Sequence, residues 1–277
     1  MRDNFDRMPY SIIDKQVTGI GVTTLELSSP RNSIVVVPTK SLANNKAFNF
    51  PNSRYIGSPI PGLQPRFNRR SIENYLRDSS IPHKKFIVVA DSLPRLLDII
   101  GEDRYDDFFL MIDETDMMQA DSMFRPALEK LIDYYFLFNY KKRAGVSATI
   151  KDFSHPDLQT EPRITIRFIE PPRLHIDAII ETNNPNATLK QQIEILRNEF
   201  PDQKNVVAYN SITLIQGLVN WLPENLRTAC AILCSENSKA DAGEYYDELL
   251  PEDKLPKSIN CITCAYFAGV DFNDDPI

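Results

Sequence analysis

Asp113, Glu114 and Asp116 place three acids within four residues, directly after the apolar run Phe108-Phe109-Leu110-Met111-Ile112. Acids at the carboxyl end of a parallel strand face the crevice in which open α/β sheets bind ligands. Asp113 could hold Mg2+ there, directly or through water, and Glu114 could orient a water for attack on a phosphoryl group. The same residues could also form a solvated turn whose acids cap a helix.

The glycines are a second signal, because the chain has only 9 in 277 residues. Gly19 and Gly21 lie together in Val17-Thr18-Gly19-Ile20-Gly21-Val22-Thr23-Thr24. A phosphate-binding loop uses glycines so that backbone N–H groups can surround phosphates, a lysine for the β/γ charge, and a Ser or Thr hydroxyl for Mg2+. Gly21 and Thr23 are in register with that pattern, while Gln16 stands at its first glycine and Val22 at its lysine. A tight glycine turn and a nucleotide loop both remain open. Two hydroxyls, Ser147 and Thr149, end another β-branched run, and Gly269 and Asp271 follow the last one.

Such residues need a sheet to converge. Short apolar runs at Ser33–Val37, Phe86–Ala90, Phe108–Asp113, Ala144–Ala148 and Arg163–Ile169 read as buried parallel strands. Helical spacing at Ile72–Arg77, Leu93–Ile100 and Phe124–Phe138 supplies the crossovers. The segment Ile169-Glu170-Pro171-Pro172-Arg173 cannot continue a helix, so a boundary is expected between residues 1–171 and 172–277. Beyond it, Leu189, Ile193, Leu196 and Phe200 form one helical stripe. A strand at Asn205–Tyr209, a helix at Ile212–Leu222, a strand at Ala229–Cys234, a helix at Ala240–Leu250 and a strand at Asn260–Tyr266 follow. The fold class is α/β, with the same parallel-sheet topology used twice.

Composition narrows the function. At 42% hydrophobic and 25% charged, the chain is that of a globular protein. No apolar run approaches the roughly 20 residues of a membrane span, and Met1 to Asp14 carries neither a secretory nor a transit signal, so the expected compartment is the cytosol. A net charge of −7 disfavours coating of nucleic acid by bulk attraction but leaves room for local basic tracks. Such clusters stand at Arg66, Arg69 and Arg70, at Lys84 and Lys85, and at Lys141, Lys142 and Arg143. Cys230, Cys234, Cys261 and Cys264 read as reduced core thiols rather than a zinc site, and no covalent-nucleophile motif occurs.

Taken in order, these pieces resemble the superfamily 2 helicases over nearly the whole chain. The glycine loop is similar to a degenerate motif I, Pro38-Thr39-Lys40 to motif Ia, and Asp113-Glu114-Thr115-Asp116 to motif II. Ser147-Ala148-Thr149 is similar to motif III, the region of Tyr209 to motif IV, and Thr263 with Gly269 and Asp271 to motif V. The resemblance implies two RecA-like domains that close on ATP and Mg2+ and grip a DNA or RNA backbone. It implies catalytic roles for Asp113 and Glu114, nucleotide contacts from Thr18, Gly19, Gly21, Thr23 and Thr24, and Mg2+ at Thr23 and Asp113. Pro38, Thr39, Lys40, Thr263 and Gly269 would contact nucleic acid, while Ser147, Thr149 and Asp271 would couple it to the nucleotide. Lys15 is the candidate replacement for the lysine missing at Val22. The arginine motif that follows motif V in the family does not occur, so the second sheet is expected to lack its last strand and helix. The implied activity is ATP hydrolysis coupled to movement on, or remodelling of, nucleic acid. Val22 keeps open an alternative: a catalytically silent module that binds nucleic acid or a protein partner.

Overall fold

The computed structural model describes residues 5–59, 68–116, 130–150, 152–169, 176, 178–250, 253–266 and 272. The chain divides into two compact units, Met1–Arg173 and Leu174–Ile277.

The first unit is built on seven parallel strands: β1 (Ser11–Asp14), β2 (Ser33–Val37), β3 (Ser53–Ile56), β4 (Lys85–Val89), β5 (Phe109–Asp113), β6 (Arg143–Ser147) and β7 (Arg163–Thr165), in the order β3-β4-β2-β5-β6-β1-β7. The central strands are apolar throughout because both faces are covered. Ile34 and Val36 of β2, Phe86 and Val88 of β4, and Leu110 and Ile112 of β5 enter one core. Their neighbours Val35, Val37, Ile87, Val89, Phe109 and Met111 enter the other. This is the two-residue alternation of a strand read against two apolar layers. Helices α1 (Val22–Ser28), α2 (Lys40–Asn49), α3 (Arg69–Arg77), α4 (Leu93–Ile100) and α5 (Leu131–Leu137) supply those layers, with a short α6 at Pro156–Thr160. Leu93, Leu96, Leu97 and Ile100 of α4 are all buried, the i, i+3, i+4, i+7 face of an amphipathic helix.

The second unit holds a three-stranded parallel sheet ordered β8-β10-β9, from Asn205–Ala208, Ile259–Ile262 and Cys230–Leu233. Helices α7 (Pro185–Glu199) and α8 (Ile212–Trp221) contribute Ile193, Ile215, Leu218 and Val219 to its core.

The structure differs from the sequence reading in instructive places. Strands β1 and β3 and helix α2 were not anticipated. Ser-Ile-Ile-Asp offers only two apolar residues to a periodicity argument, yet β1 lies between β6 and β7. The strand expected over Arg163–Ile169 ends at Thr165, on an edge where β1 alone pairs with it. The helix expected over Ala240–Leu250 is cut at Gly243, whose φ of +61° ends the helical segment Lys239–Ala242. In the α7 stripe only Ile193 is buried, whereas Leu196 and Phe200 are exposed. Cys264 is exposed past the end of β10, while Cys230, Cys234 and Cys261 lie in the core as expected. Residues 124–129 of the helix expected over Phe124–Phe138 lie outside the described residues; α5 falls in the described part.

Candidate functional site

The site lies at the carboxyl ends of β1, β6 and β5, three neighbours in the sheet. Backbone hydrogen bonds tie these ends together: Lys15 N–H donates to Ser147 O at 2.8 Å, and Thr115 N–H to Val146 O at 3.0 Å. Thr115 is fully buried against Gly145, where a Cβ would stand 2.8 Å from its Oγ1, so the close approach of β6 to the turn after β5 requires glycine.

The glycine loop runs from β1 into α1, the strand–loop–helix order a phosphate loop needs. Gln16, Gly19 and Gly21 have φ of +55°, +73° and +79°. Gly21 is the N-cap of α1 and accepts from Leu25 N–H at 2.9 Å. Only glycine takes the left-handed region without penalty, which explains why two of the nine glycines sit here. Thr18 and Gly19 are exposed at the turn, and Thr24 is half-buried on α1.

Thr23 points from the first turn of α1 to the end of β5, and its hydroxyl donates to Asp113 Oδ2 at 2.6 Å. The pair is buried and joins residues 90 positions apart. A hydroxyl and a carboxylate side by side are hard oxygen donors of the kind that hold Mg2+ on a nucleotide. Among the described residues no group of three or more His, Cys, Asp or Glu could hold a metal unaided.

Lys15 occupies the centre. Its ammonium donates to Glu114 Oε1 at 2.9 Å and lies 3.5 Å from Asp113 Oδ1, with its side chain 7% exposed. Burial alone would lower its pKa, but attraction to Asp113 and Glu114, with hydrogen bonds to both, outweighs burial and raises it above the ordinary lysine value. Val22, by contrast, is buried in the core with Leu25 and Leu27, so no cation stands at that position of the loop.

Glu114 has a φ of +51°, a strained conformation for a side chain with a Cβ, costing about 1–2 kcal/mol. The surrounding bonds hold it there: its N–H donates to Asp113 Oδ1 at 3.1 Å, Lys15 grips one carboxylate oxygen, and Ser147 Oγ lies 3.2 Å from the other. Ser147 also bonds to Asp116, and Thr149 Oγ1 donates to Asp116 Oδ2 at 2.6 Å. The two hydroxyls of the β6 end are thus linked to the acids of the β5 end. Asp116 as their common acceptor went unassigned in the sequence, although its place three residues after Asp113 was the available signal.

The other candidates lie on other elements. Pro38 is buried after β2, the Thr39 side chain accepts from Leu42 N–H as the N-cap of α2, and Lys40 is exposed with its ammonium 3.4 Å from Pro59 O. In the second unit Thr263 follows β10 and is buried, with its N–H donating to Leu233 O at 3.1 Å. Nearby, Tyr209 N–H donates to Ile262 O at 3.0 Å and Asn210 Oδ1 accepts from Cys264 N–H at 3.3 Å, so the turns after β8 and β10 are neighbours. Gly269 and Asp271 lie outside the described residues. No helix among the described residues is long and apolar enough to cross a membrane.

No family model and no curated protein matches the sequence. Among solved structures, the helicase Lhr of Mycobacterium smegmatis, bound to ssDNA and AMP-PNP, is similar over 95% of this chain and 39% of that one, with 16% identity and a TM-score of 0.55. Dbp5 of S. cerevisiae, bound to Gle1, is similar over 95% of this chain and 67% of that one, with 11% identity and a TM-score of 0.52. The chain therefore spans well under half of the Lhr chain and two thirds of the Dbp5 chain. At such identities the likeness concerns architecture: the chain has a helicase-like fold, two RecA-like parallel-sheet units in tandem.

Proposed function

We propose that this chain is a nucleic-acid-dependent ATPase module of the superfamily 2 helicase type, in which ATP binding and hydrolysis are coupled to movement on or remodelling of a DNA or RNA strand. The observation that carries the reading is the Thr23–Asp113 hydrogen bond of 2.6 Å with the Lys15 ammonium beside it. It joins the loop after β1 to the acids after β5, the arrangement that phosphoryl transfer on Mg-ATP requires.

In this reading the glycine turn presents backbone N–H groups to the nucleotide's phosphates. Lys15 supplies the positive charge that Val22 lacks, from a position seven residues earlier in the chain. Thr23 and Asp113 would hold Mg2+, which when bound neutralises phosphate charge as it develops. Glu114, held by Lys15 and Ser147, orients the attacking water and accepts its proton. Ser147 and Thr149, through Asp116, would transmit a shift of the acids to β6. Pro38, Thr39, Lys40, Thr263 and Gly269 would meet the strand's backbone, where contacts to phosphates position without reading sequence. Asp271 would take part in the coupling.

The test is a calorimetric titration of the chain with Mg-ATP, then turnover measured with and without single-stranded nucleic acid. Saturable binding lost in Asp113→Ala, and stimulated turnover lost in Glu114→Gln, support the reading. A second reading, the catalytically silent module, draws on the burial of Val22 and on a Lys15 ammonium already engaged by Glu114 and Asp113. Absence of binding at millimolar Mg-ATP would favour it.

A further inference from the structure

A concavity lies at the opposite end of the strands of the same sheet. Residues 7–10 lead into β1, Arg31 and Asn32 into β2, Asp107 and Phe109 into β5, and Lys141 and Lys142 into β6. All seven strands are parallel, so these four segments meet at the amino ends, away from the Lys15–Asp113–Ser147 cluster at the carboxyl ends. Together they enclose a cavity of about 490 Å3, within the range of pockets that hold small organic ligands.

The floor is built on a buried ion pair. Arg31 lies over the Phe109 ring, 3.5 Å from its centroid, and donates to Met8 O at 2.8 Å. It also pairs with the fully buried Glu26. On the rim, Asp107 pairs with Arg104 at 3.3 Å, and its carbonyl accepts from Asn32 at 3.2 Å.

Three cations around the opening have no such partner. Arg7, Lys141 and Lys142 are exposed, and among the described residues no carboxylate pairs with any of them. In a chain of net charge −7, these three cations gather positive charge on one rim. One aromatic ring lines the cavity with them: Tyr10, 41% exposed, which packs edge to face on Tyr140 outside the lining, with centroids 5.8 Å apart. Lys141 holds its ammonium 5.5 Å from the Tyr140 centroid. A rim of cations next to a part-exposed tyrosine matches a ligand that carries a phosphate and a planar ring.

We propose that this cavity at the strands' amino ends is a nucleotide-binding site separate from the proposed ATP site, in which Arg7, Lys141 and Lys142 receive the phosphate and Tyr10, backed by Tyr140, receives the base. The shared chemistry is one nucleotide unit, either free or part of a single strand, for which stacking on tyrosine beside a basic groove is sequence-tolerant.

The experiment titrates the full chain at low salt with AMP and, separately, with a short oligothymidylate, following both by calorimetry. The variants are Arg7→Ala/Lys141→Ala/Lys142→Ala, Tyr10→Leu, and, to silence the other end of the sheet, Thr23→Val. Saturable binding that falls at least about tenfold in the triple variant, weakens in Tyr10→Leu and persists in Thr23→Val supports the site; losing two or three charge-assisted contacts is worth that much. Binding of AMP alone assigns a free nucleotide, and binding of oligothymidylate alone, with steep salt dependence, assigns a strand. The three cations are exposed, so the triple variant should keep its far-UV circular dichroism. If it does not, charge reversal at Lys141 and Lys142 alone asks the same question. Binding that survives the triple variant, or no saturable binding of either probe, overturns the proposal; Mg-ATP binding lost in Asp113→Ala tests the carboxyl-end site separately.

Discussion

Removing the Lys15 ammonium tests the centre of the candidate site most directly. Lys15→Met keeps the length and apolar stem of the side chain and deletes only the charge. Asp113, itself 6% exposed, and Glu114 then face each other without a cation between them. Pairs 2.9 and 3.5 Å apart are each worth about 5 kcal/mol at an effective dielectric constant near 20. Desolvation of the ammonium offsets much of this, and breaking a buried pair by removing one partner costs about 3 kcal/mol net. In a unit of this size that lowers the melting temperature by about 6–12 °C. Because the pKa of Lys15 is raised, its stabilising effect is fully present below the ordinary lysine value and is lost only as pH rises through the raised one, so the loss should be seen in full at neutral pH. The assay is calorimetric melting of wild type, Lys15→Met and Lys15→Met/Asp113→Asn. The double variant should recover most of the lost stability, since it no longer buries an unpaired charge beside Glu114. In parallel, Lys15→Met should weaken Mg-ATP binding by about 10- to 100-fold, the worth of one charge-assisted hydrogen bond to phosphate. A Lys15→Met chain that melts like the wild type refutes the electrostatic argument. One that melts lower but binds Mg-ATP unchanged refutes the assignment of Lys15 to the phosphates.

Three further outcomes are expected. Thr23→Val removes the donor to Asp113 Oδ2 and leaves a buried carboxylate oxygen short of a bond, costing about 1–3 kcal/mol in urea denaturation, with a loss of the Mg2+-dependent part of nucleotide affinity. Gly145→Ala would bring a Cβ to 2.8 Å from Thr115 Oγ1 and 3.0 Å from Ile12 Cδ1; overpacking there should cost about 1–3 kcal/mol by the same denaturation and disturb Glu114 one residue from Thr115. Burial brings the Lys85 pKa down to about 8 from 10.5, although Glu26 pulls it up. Between those values the unfolded chain holds a proton that the folded chain has released, so stability rises with pH across the window. The urea midpoint of wild type minus that of Lys85→Met should climb over this range; a flat difference would remove Lys85 as the cause.

Much of the first unit is legible in the sequence because its central strands are buried on both faces. Burial on both faces makes Ile34–Val37, Phe86–Val89 and Phe109–Ile112 continuous apolar runs, and a run of that kind is visible without knowing what covers it. Asp113 and Glu114 were legible for a related reason: an apolar strand that ends abruptly in acids marks a strand's carboxyl end. The glycine loop was legible as a turn, since two close glycines in a glycine-poor chain ask for positive φ. The break at Gly243 was a local signal overlooked, because helical spacing on both sides of it masked a residue that takes the left-handed region.

What only tertiary structure decides is partnership across the chain. Strand β1 offers two apolar residues to a pattern, yet strand order makes it the neighbour of β6 and so carries Lys15 to acids 98 and 99 residues away. The sequence nominates Lys15 only by its place in the turn before the glycine loop; which acids it meets is set by strand order. The same holds for the cavity at the amino edge, where Arg7, Arg31, Asp107 and Lys141 come from four segments joined by the order of β1, β2, β5 and β6. Periodicity reports how far each residue is from water, a local property written every two or three positions. Which charge meets which depends on the crossover connections that set strand order, and that order is chosen by the packing of the whole unit.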